Sequence, residues 1–193
     1  VQPQVILLDN FDSFTWNIVD FYTQCGCALR VYRNDVPLEQ WKEEPFDLLV
    51  LSPGPCTPKE AGNLMEVLAY FAEKKPIFGI CLGHQAIIEH FGGSLKLNPP
   101  THGKSSIITN DGKGVYQGLP TQVEIGRYHS LAAASMPEEL LVTATTEDET
   151  VMSCRHKTLP IAGVQYHPES VLSMKDGVGM KIIENSLNLL GTT

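Results

Sequence analysis

The sequence predicts one α/β domain built on a parallel sheet with antiparallel additions. Short, wholly apolar runs recur through the first half of the chain, as in strands buried on both faces. Stretches with helical spacing of their apolar residues alternate with these runs, a pattern that argues for a parallel sheet with right-handed crossovers. The second half changes to short β-rich pieces separated by turn residues, which suits antiparallel strands. A chain of 193 residues fits one such domain, spanning 1–193, with a sizeable core.

The elements follow in order. Val5-Ile6-Leu7-Leu8 is the first buried strand, and Asp9 to Ser13 a polar turn. Asp12 or Ser13 is placed to cap a helix whose apolar positions include Phe14, Ile18 and Phe21, with Gly26 at its C-terminal stop. Leu29-Arg30-Val31-Tyr32 is the second strand and Leu48-Leu49-Val50-Leu51 the third. The third ends in a breaker-rich loop, Ser52-Pro53-Gly54-Pro55-Cys56-Thr57-Pro58. A helix over about Ala61 to Ala72, a strand from Ile77 to Ile80 and a helix from about Gly83 to Phe91 come next. Asn110-Asp111-Gly112 reads as a hairpin turn. Further strands are predicted at Val123–Ile125, Leu141–Thr145, Val151–Cys154 and Ile161–Gln165, with a closing helix from Gly177 to Leu190.

The gross numbers narrow the function. Hydrophobic residues make up 42% and charged residues 19%, a globular balance rather than a disordered one. The net charge of -8 and the lack of a basic stripe argue against nucleic acid as a partner. No apolar run approaches the ~20 residues that span a bilayer, and no signal-peptide pattern is present. The five cysteines (Cys25, Cys27, Cys56, Cys81, Cys154) are odd in number and irregularly spaced, a poor disulfide framework with no C-x-x-C pair for structural zinc. A reducing cytoplasm, and no metal, is the expectation.

Cys81 stands apart from the other cysteines. It lies where an apolar strand gives way to a helix, inside Gly79-Ile80-Cys81-Leu82-Gly83. This G-x-C-x-G is the cysteine version of the nucleophile elbow, in which a sharp turn lifts the nucleophile out of the sheet and glycines admit the close backbone. The helix start supplies partial positive charge and free N–H groups beside the sulfur. The Leu82 N–H is then available to an oxyanion. A buried, inert cysteine is the plainer alternative; the flanking glycines and the strand end favour the nucleophile.

A thiolate nucleophile needs a histidine, oriented by a third group. His167 has the best setting: it follows the strand ending Val164-Gln165-Tyr166 and precedes Pro168-Glu169-Ser170, so Glu169 can return to an imidazole N–H. His102 and His129 lie in loops and remain open. His90, late in a helix, is placed on the surface or in packing, and His156, between Arg155 and Lys157, in solvent. The Ser52-Pro53-Gly54-Pro55 loop also follows a strand end, and its rigid backbone is suited to aiming the Gly54 N–H at an oxyanion. No phosphate-cradling glycine motif is present.

Ser52-Pro53-Gly54-Pro55, Gly79-Ile80-Cys81-Leu82-Gly83-His84-Gln85 and His167-Pro168-Glu169-Ser170 together resemble the three motifs of the class I (triad) glutamine amidotransferases, from Val5 to about Leu190. Asp9 to Thr15, the P-G-P-C-T-P form of the loop, His102-Gly103-Lys104 and Arg127-Tyr128-His129-Ser130 are similar to the chorismate-utilising branch, the glutaminase subunits of anthranilate and aminodeoxychorismate synthases. The resemblance implies an open, mostly parallel, flavodoxin-like sheet with helices on both faces and a small antiparallel addition. It implies Cys81 as nucleophile, His167 as general base and acid, and Glu169 as the orienting carboxylate. It implies an oxyanion hole from the Gly54 and Leu82 N–H groups, and Gln85 with the Ser130-Leu131 backbone holding the amino-acid end of L-glutamine. No cofactor is expected in this chain, magnesium being expected in a separate chorismate-binding synthase subunit that uses the ammonia. The loops Pro99 to Lys104 and Gly126 to Ser130 are candidates for contact with that partner. The alternatives are a γ-glutamyl hydrolase or cysteine peptidase with the same chemistry, against which the S-P-G-P loop and Gln85 argue, and a non-catalytic binding subunit.

Overall fold

The apolar runs of the first half become strands lying side by side. In the computed structural model, which describes residues 1–191, the first half contains β1 (Gln4–Asp9), α1 (Thr15–Gln24), β2 (Ala28–Arg33), α2 (Leu38–Lys42), β3 (Leu48–Leu51), α3 (Leu64–Phe71), β4 (Ile77–Ile80) and α4 (Leu82–His90). The second half adds β5 (Ser94–Leu97), β6 (Lys104–Asn110), β7 (Gln122–Arg127), β8 (Leu131–Ser135), β9 (Leu140–Thr145), β10 (Val151–His156), β11 (Ile161–Val164) and α5 (Val178–Ser186). One nine-stranded sheet runs in the order β2-β1-β3-β4-β11-β10-β9-β6-β7. Its first five strands are mutually parallel. The remaining four continue it antiparallel. β5 and β8 pair separately.

Alternation along the strands explains the helices on both faces. Val5 and Leu7 of β1 join one core with Ile18 and Tyr22 of α1 and Ile182 and Ile183 of α5. Ile6 and Leu8 face the other way, into a core with Leu64 and Leu68 of α3 and Ile87 of α4. Each of these β1 residues is fully buried, and burying such a side chain stabilises by about 1.5–3 kcal/mol. The C-terminal ends of β3, β4 and β11 therefore open together at one edge, where α/β sheets form their sites. Among the described residues no helix is long and apolar enough to cross a membrane.

Local chemistry departs from the sequence expectation at several places. Neither Asp12 nor Ser13 caps α1; Phe14 holds the cap position without a side-chain bond. Asp9 organises the turn instead, its Oδ1 accepting from the Asp12 N–H (3.2 Å) and the Thr15 hydroxyl (2.7 Å). Asn110-Asp111-Gly112 is not a tight hairpin. Asn110 Oδ1 accepts from the Gly112 N–H at 2.9 Å, and a 3-10 turn over Gly114–Tyr116 intervenes before β7. Tyr116 is the reason: it is fully buried and donates to Ser153 Oγ at 2.8 Å, so the loop must dip into the core. The closing helix is α over Val178–Ser186 and 3-10 over Leu187–Gly191. The short elements α2, β5 and β8 lie where the sequence pattern named none.

Candidate active site

Cys81 sits between the last residue of β4 and the first of α4, with φ 53 and ψ −100. A non-glycine residue held there costs about 1–3 kcal/mol. The surrounding backbone fixes it: its N–H donates to Val164 O at 2.8 Å, and its carbonyl accepts from the Gln85 N–H at 3.0 Å. The glycines on either side make the turn possible. A Cβ on Gly79 would stand 2.5 Å from the Gly83 carbonyl carbon, and one on Gly83 would stand 2.5 Å from Leu51 O. The helix start is thus pressed against the strands, with the sulfur at the sheet edge.

β11 delivers the partner. His167 and Glu169 are buried just beyond its end, and Nδ1 of His167 lies 2.6 Å from Glu169 Oε1. Nε2, the other ring nitrogen, is buried and is left to the Cys81 sulfur. Burial alone would push the imidazole down, but the charge of Glu169, the Cys81 sulfur and bonds to both hold it well above the usual histidine range. The rings of Phe14 and Tyr128 meet it edge-on at 5.2 and 5.0 Å. Its backbone is fastened too: the His167 N–H donates to Gly126 O at 3.0 Å, and the Ser173 hydroxyl donates to His167 O at 2.7 Å. Gly126 closes this knot by donating its N–H to Ser173 Oγ at 2.8 Å. A Cβ there would meet Leu172 Cβ at 2.8 Å, which is the physical need for glycine at that position.

The proline-glycine loop is held from beneath by buried amides. The Asn10 N–H donates to Ser52 Oγ (2.9 Å), the Asn10 amide to Ser52 O (3.0 Å), and the Asn34 amide to Asn10 Oδ1 (3.1 Å). Gly54 packs so closely on this group that a Cβ would stand 2.5 Å from Asn10 Cβ and 3.0 Å from Leu82 Cδ2.

These parts open on a cavity of about 460 Å³. Gly54, Cys81, Gln85, Ser130, Leu131 and His167 all line it, together with Asp12, Cys56, His102, Tyr128 and His129. Leu82 and Glu169 lie behind, buried. The Gln85 amide donates to Leu131 O at 3.2 Å, and Asn98 donates its N–H to Ser130 O at 2.8 Å, so the Ser130-Leu131 backbone is tied to the rest of the wall. Cys56 is exposed and in the left-handed region, φ 66. Such a cavity, with a thiol beside a carboxylate-held imidazole, is suited to acyl transfer.

The remaining histidines divide by position. His129 accepts from Arg127 Nε at 3.0 Å on Nε2, so Nδ1 carries the proton given to Leu131 O at 2.8 Å. Burial pushes His129 down to about 4. His84, fully buried with Nδ1 3.6 Å from the Cys154 sulfur, is pushed by burial to about 3. His156 is not in solvent as its charged neighbours suggested. It is buried, and Nδ1 accepts the N–H groups of Thr158 (3.1 Å) and Leu159 (2.9 Å), closing the turn into β11. His90 packs on Phe91 at 4.7 Å. Sequence reasoning gave no part to Asn10, Asn34 or Gln165. The signal available was a polar residue directly after the end of a strand, which in each case proves buried.

The family profile "Glutamine amidotransferase class-I" matches residues 6–188. The chain belongs to this family and is a glutamine amidotransferase. Among relatives, it is 42% identical to "Anthranilate synthase component 2" of Methanocaldococcus jannaschii, over 94% of this chain and 95% of that one. It is 44% identical to "Aminodeoxychorismate/anthranilate synthase component 2" of Bacillus subtilis, over 88% and 89%. "Aminodeoxychorismate synthase component 2" of Escherichia coli is 41% identical over 95% and 99%. A crystal structure of a Thermoplasma acidophilum protein, described as belonging to a GMP synthase, superposes with a TM-score of 0.87, covering 99% of this chain and 95% of that one; at 23% identity it bears on the fold alone.

Proposed function

We propose that this chain hydrolyses the side-chain amide of L-glutamine at Cys81 and passes the ammonia to a separate chorismate-binding synthase subunit. The observation that carries the chemistry is the pairing of His167 with Glu169 at 2.6 Å, on the wall of the cavity that holds the elbow cysteine. His167 stands as imidazolium beside the Cys81 sulfur. The sulfur attacks the amide carbon, and the N–H groups of Gly54 and Leu82 hold the oxyanion, each donor contributing about 3 kcal/mol. His167 protonates the leaving nitrogen, ammonia departs and a glutamyl thioester remains on Cys81. The imidazole then takes a proton from water, hydroxide displaces the thiolate and glutamate leaves. Glu169 holds the ring in one orientation throughout. Gln85, Ser130 and Leu131 hold the amino-acid end of the substrate.

The partner assignment draws support from the relatives' names, which describe second components of anthranilate and aminodeoxychorismate synthases. Loops Pro99 to Lys104 and Gly126 to Ser130, which supply His102 and Tyr128–Ser130 to the cavity wall, are the proposed contact. The experiment is reconstitution: this chain with each candidate synthase, glutamine, chorismate and magnesium. Anthranilate, aminodeoxychorismate or both identify the product; glutamate without either removes chorismate from the reading. Full glutamine-dependent turnover by Cys81→Ser would refute the nucleophile.

A further inference from the structure

Between the proposed nucleophile and the proposed substrate-binding amide stands a side chain that has no role in the steps above. Gln165 follows the last residue of β11 and is fully buried. Its backbone N–H donates to Met152 O at 2.8 Å, which fixes the residue to the neighbouring strand β10. Its side-chain Nε2 lies 3.6 Å from the Cys81 sulfur and donates to it. Its Oε1 accepts from Gln85 Nε2 at 3.3 Å, and that same nitrogen also donates to Leu131 O at 3.2 Å.

The two contacts determine each other. An amide has one donor end and one acceptor end, so turning the NH₂ to sulfur turns the carbonyl oxygen to Gln85. Gln85 then spends its own NH₂ on Gln165 and Leu131. Its Oε1 is left as an acceptor on the cavity wall, the polarity that suits a substrate ammonium. At the other end, a neutral donor beside sulfur favours the charged form of the thiol, since a hydrogen bond to the charged state stabilises it.

We infer that Gln165 is a positioning residue that both donates to the Cys81 thiolate and sets the orientation of the Gln85 amide, coupling the state of the nucleophile to the site for the amino-acid end of glutamine. The inference rests on the glutaminase reading for its substrate but not for its contact with sulfur. Several ionisable groups line the same cavity from other elements: Asp12 from the β1–α1 turn, Cys56 from the proline-glycine loop, His102, Tyr128 and His129 from the wall, and His167 backed by Glu169. Gln165 is distinguished from them by adding a hydrogen bond without adding a charge, so its removal changes no other titration directly.

The test replaces Gln165 by residues of similar volume that neither donate nor accept, Gln165→Met and Gln165→Leu. The rate of alkylation of Cys81 by iodoacetamide is followed against pH in the full chain, with peptide mapping to separate Cys81 from the exposed Cys56. The midpoint is expected to move up by about one unit in either variant, a tenfold loss of thiolate below the midpoint. KM for glutamine should rise along with a fall in kcat, because Gln85 loses the partner that orients it. An unchanged alkylation midpoint in a folded variant overturns the inference, whatever happens to turnover. The two variants guard against one failing to fold, and alkylation is read without substrate. Turnover retained by Cys81→Ser would instead strike at the glutaminase reading and leave the alkylation result standing.

Discussion

Burying a histidine that remains neutral makes stability depend on pH, and His84 allows the size of that effect to be worked out. It is fully buried on α4, contacts the Cys154 sulfur through Nδ1 and has no partner at Nε2. Burial, with the nearby charge of His129 second, lowers it from the ordinary 6.5 to about 3. Between those values the unfolded chain binds a proton that the folded chain refuses, so stability increases with pH across that window. The contribution is whole above 6.5 and is lost as pH falls toward about 3. At pH 5.5, one unit below the unfolded value, the loss from this group is about 1.4 kcal/mol relative to pH 7.5. His84→Met removes the titration while keeping volume. Urea unfolding followed by Trp41 emission, a fully buried indole, should show the wild type losing about 1.4 kcal/mol more than the variant between pH 7.5 and 5.5. The comparison cancels His129, His167 and the carboxylates, which are common to both proteins. Equal losses in the two proteins would refute the argument that the imidazole is held neutral by burial.

Glu169→Gln removes the charge that holds His167 up, so kcat should fall about 10²-fold or more and the basic group in the pH–rate profile should move down; a profile that does not move refutes the electrostatic role. Gly126→Ala forces a Cβ against Leu172 at 2.8 Å and should cost about 1–3 kcal/mol in thermal or urea unfolding while slowing turnover, because His167 hangs from the Gly126 carbonyl. Ser52→Ala leaves the buried Asn10 N–H without its acceptor. It should cost about 1–3 kcal/mol of stability and reduce kcat more than it raises KM, read by steady-state glutaminase kinetics.

The parts of the fold that the sequence disclosed are those where burial and pattern agree. Leu48–Leu51 and Ile77–Ile80 appear as strands at the predicted bounds because every residue in them is buried, which leaves no polar position to blur the run. β5 was not legible because its residues, Ser94 to Leu97, are largely exposed and its partner β8 lies far along the chain. The Asn110-Asp111-Gly112 turn misled for a related reason: turn chemistry is local, whereas the fate of Tyr116 is decided by Ser153 on a distant strand. Among site residues, the sequence motifs placed Gly54, Cys81, Gln85, Ser130, Leu131 and His167 around what proves to be one cavity. The amides beneath it, Asn10, Asn34 and Gln165, were not legible, since a polar side chain beside a strand gives no hint of whether it faces solvent or sulfur. His156 shows the converse, a charged stretch whose middle residue turns inward to complete a backbone turn.

The left-handed backbone at Cys81 has a consequence for the stability of the chain. Glycine takes that conformation without strain, so Cys81→Gly relieves the elbow while removing the sulfur. The reactive residue therefore sits where the backbone itself favours another choice. A Cys81→Gly variant should therefore be inert yet more stable than its parent by up to about 1–3 kcal/mol, read by urea unfolding.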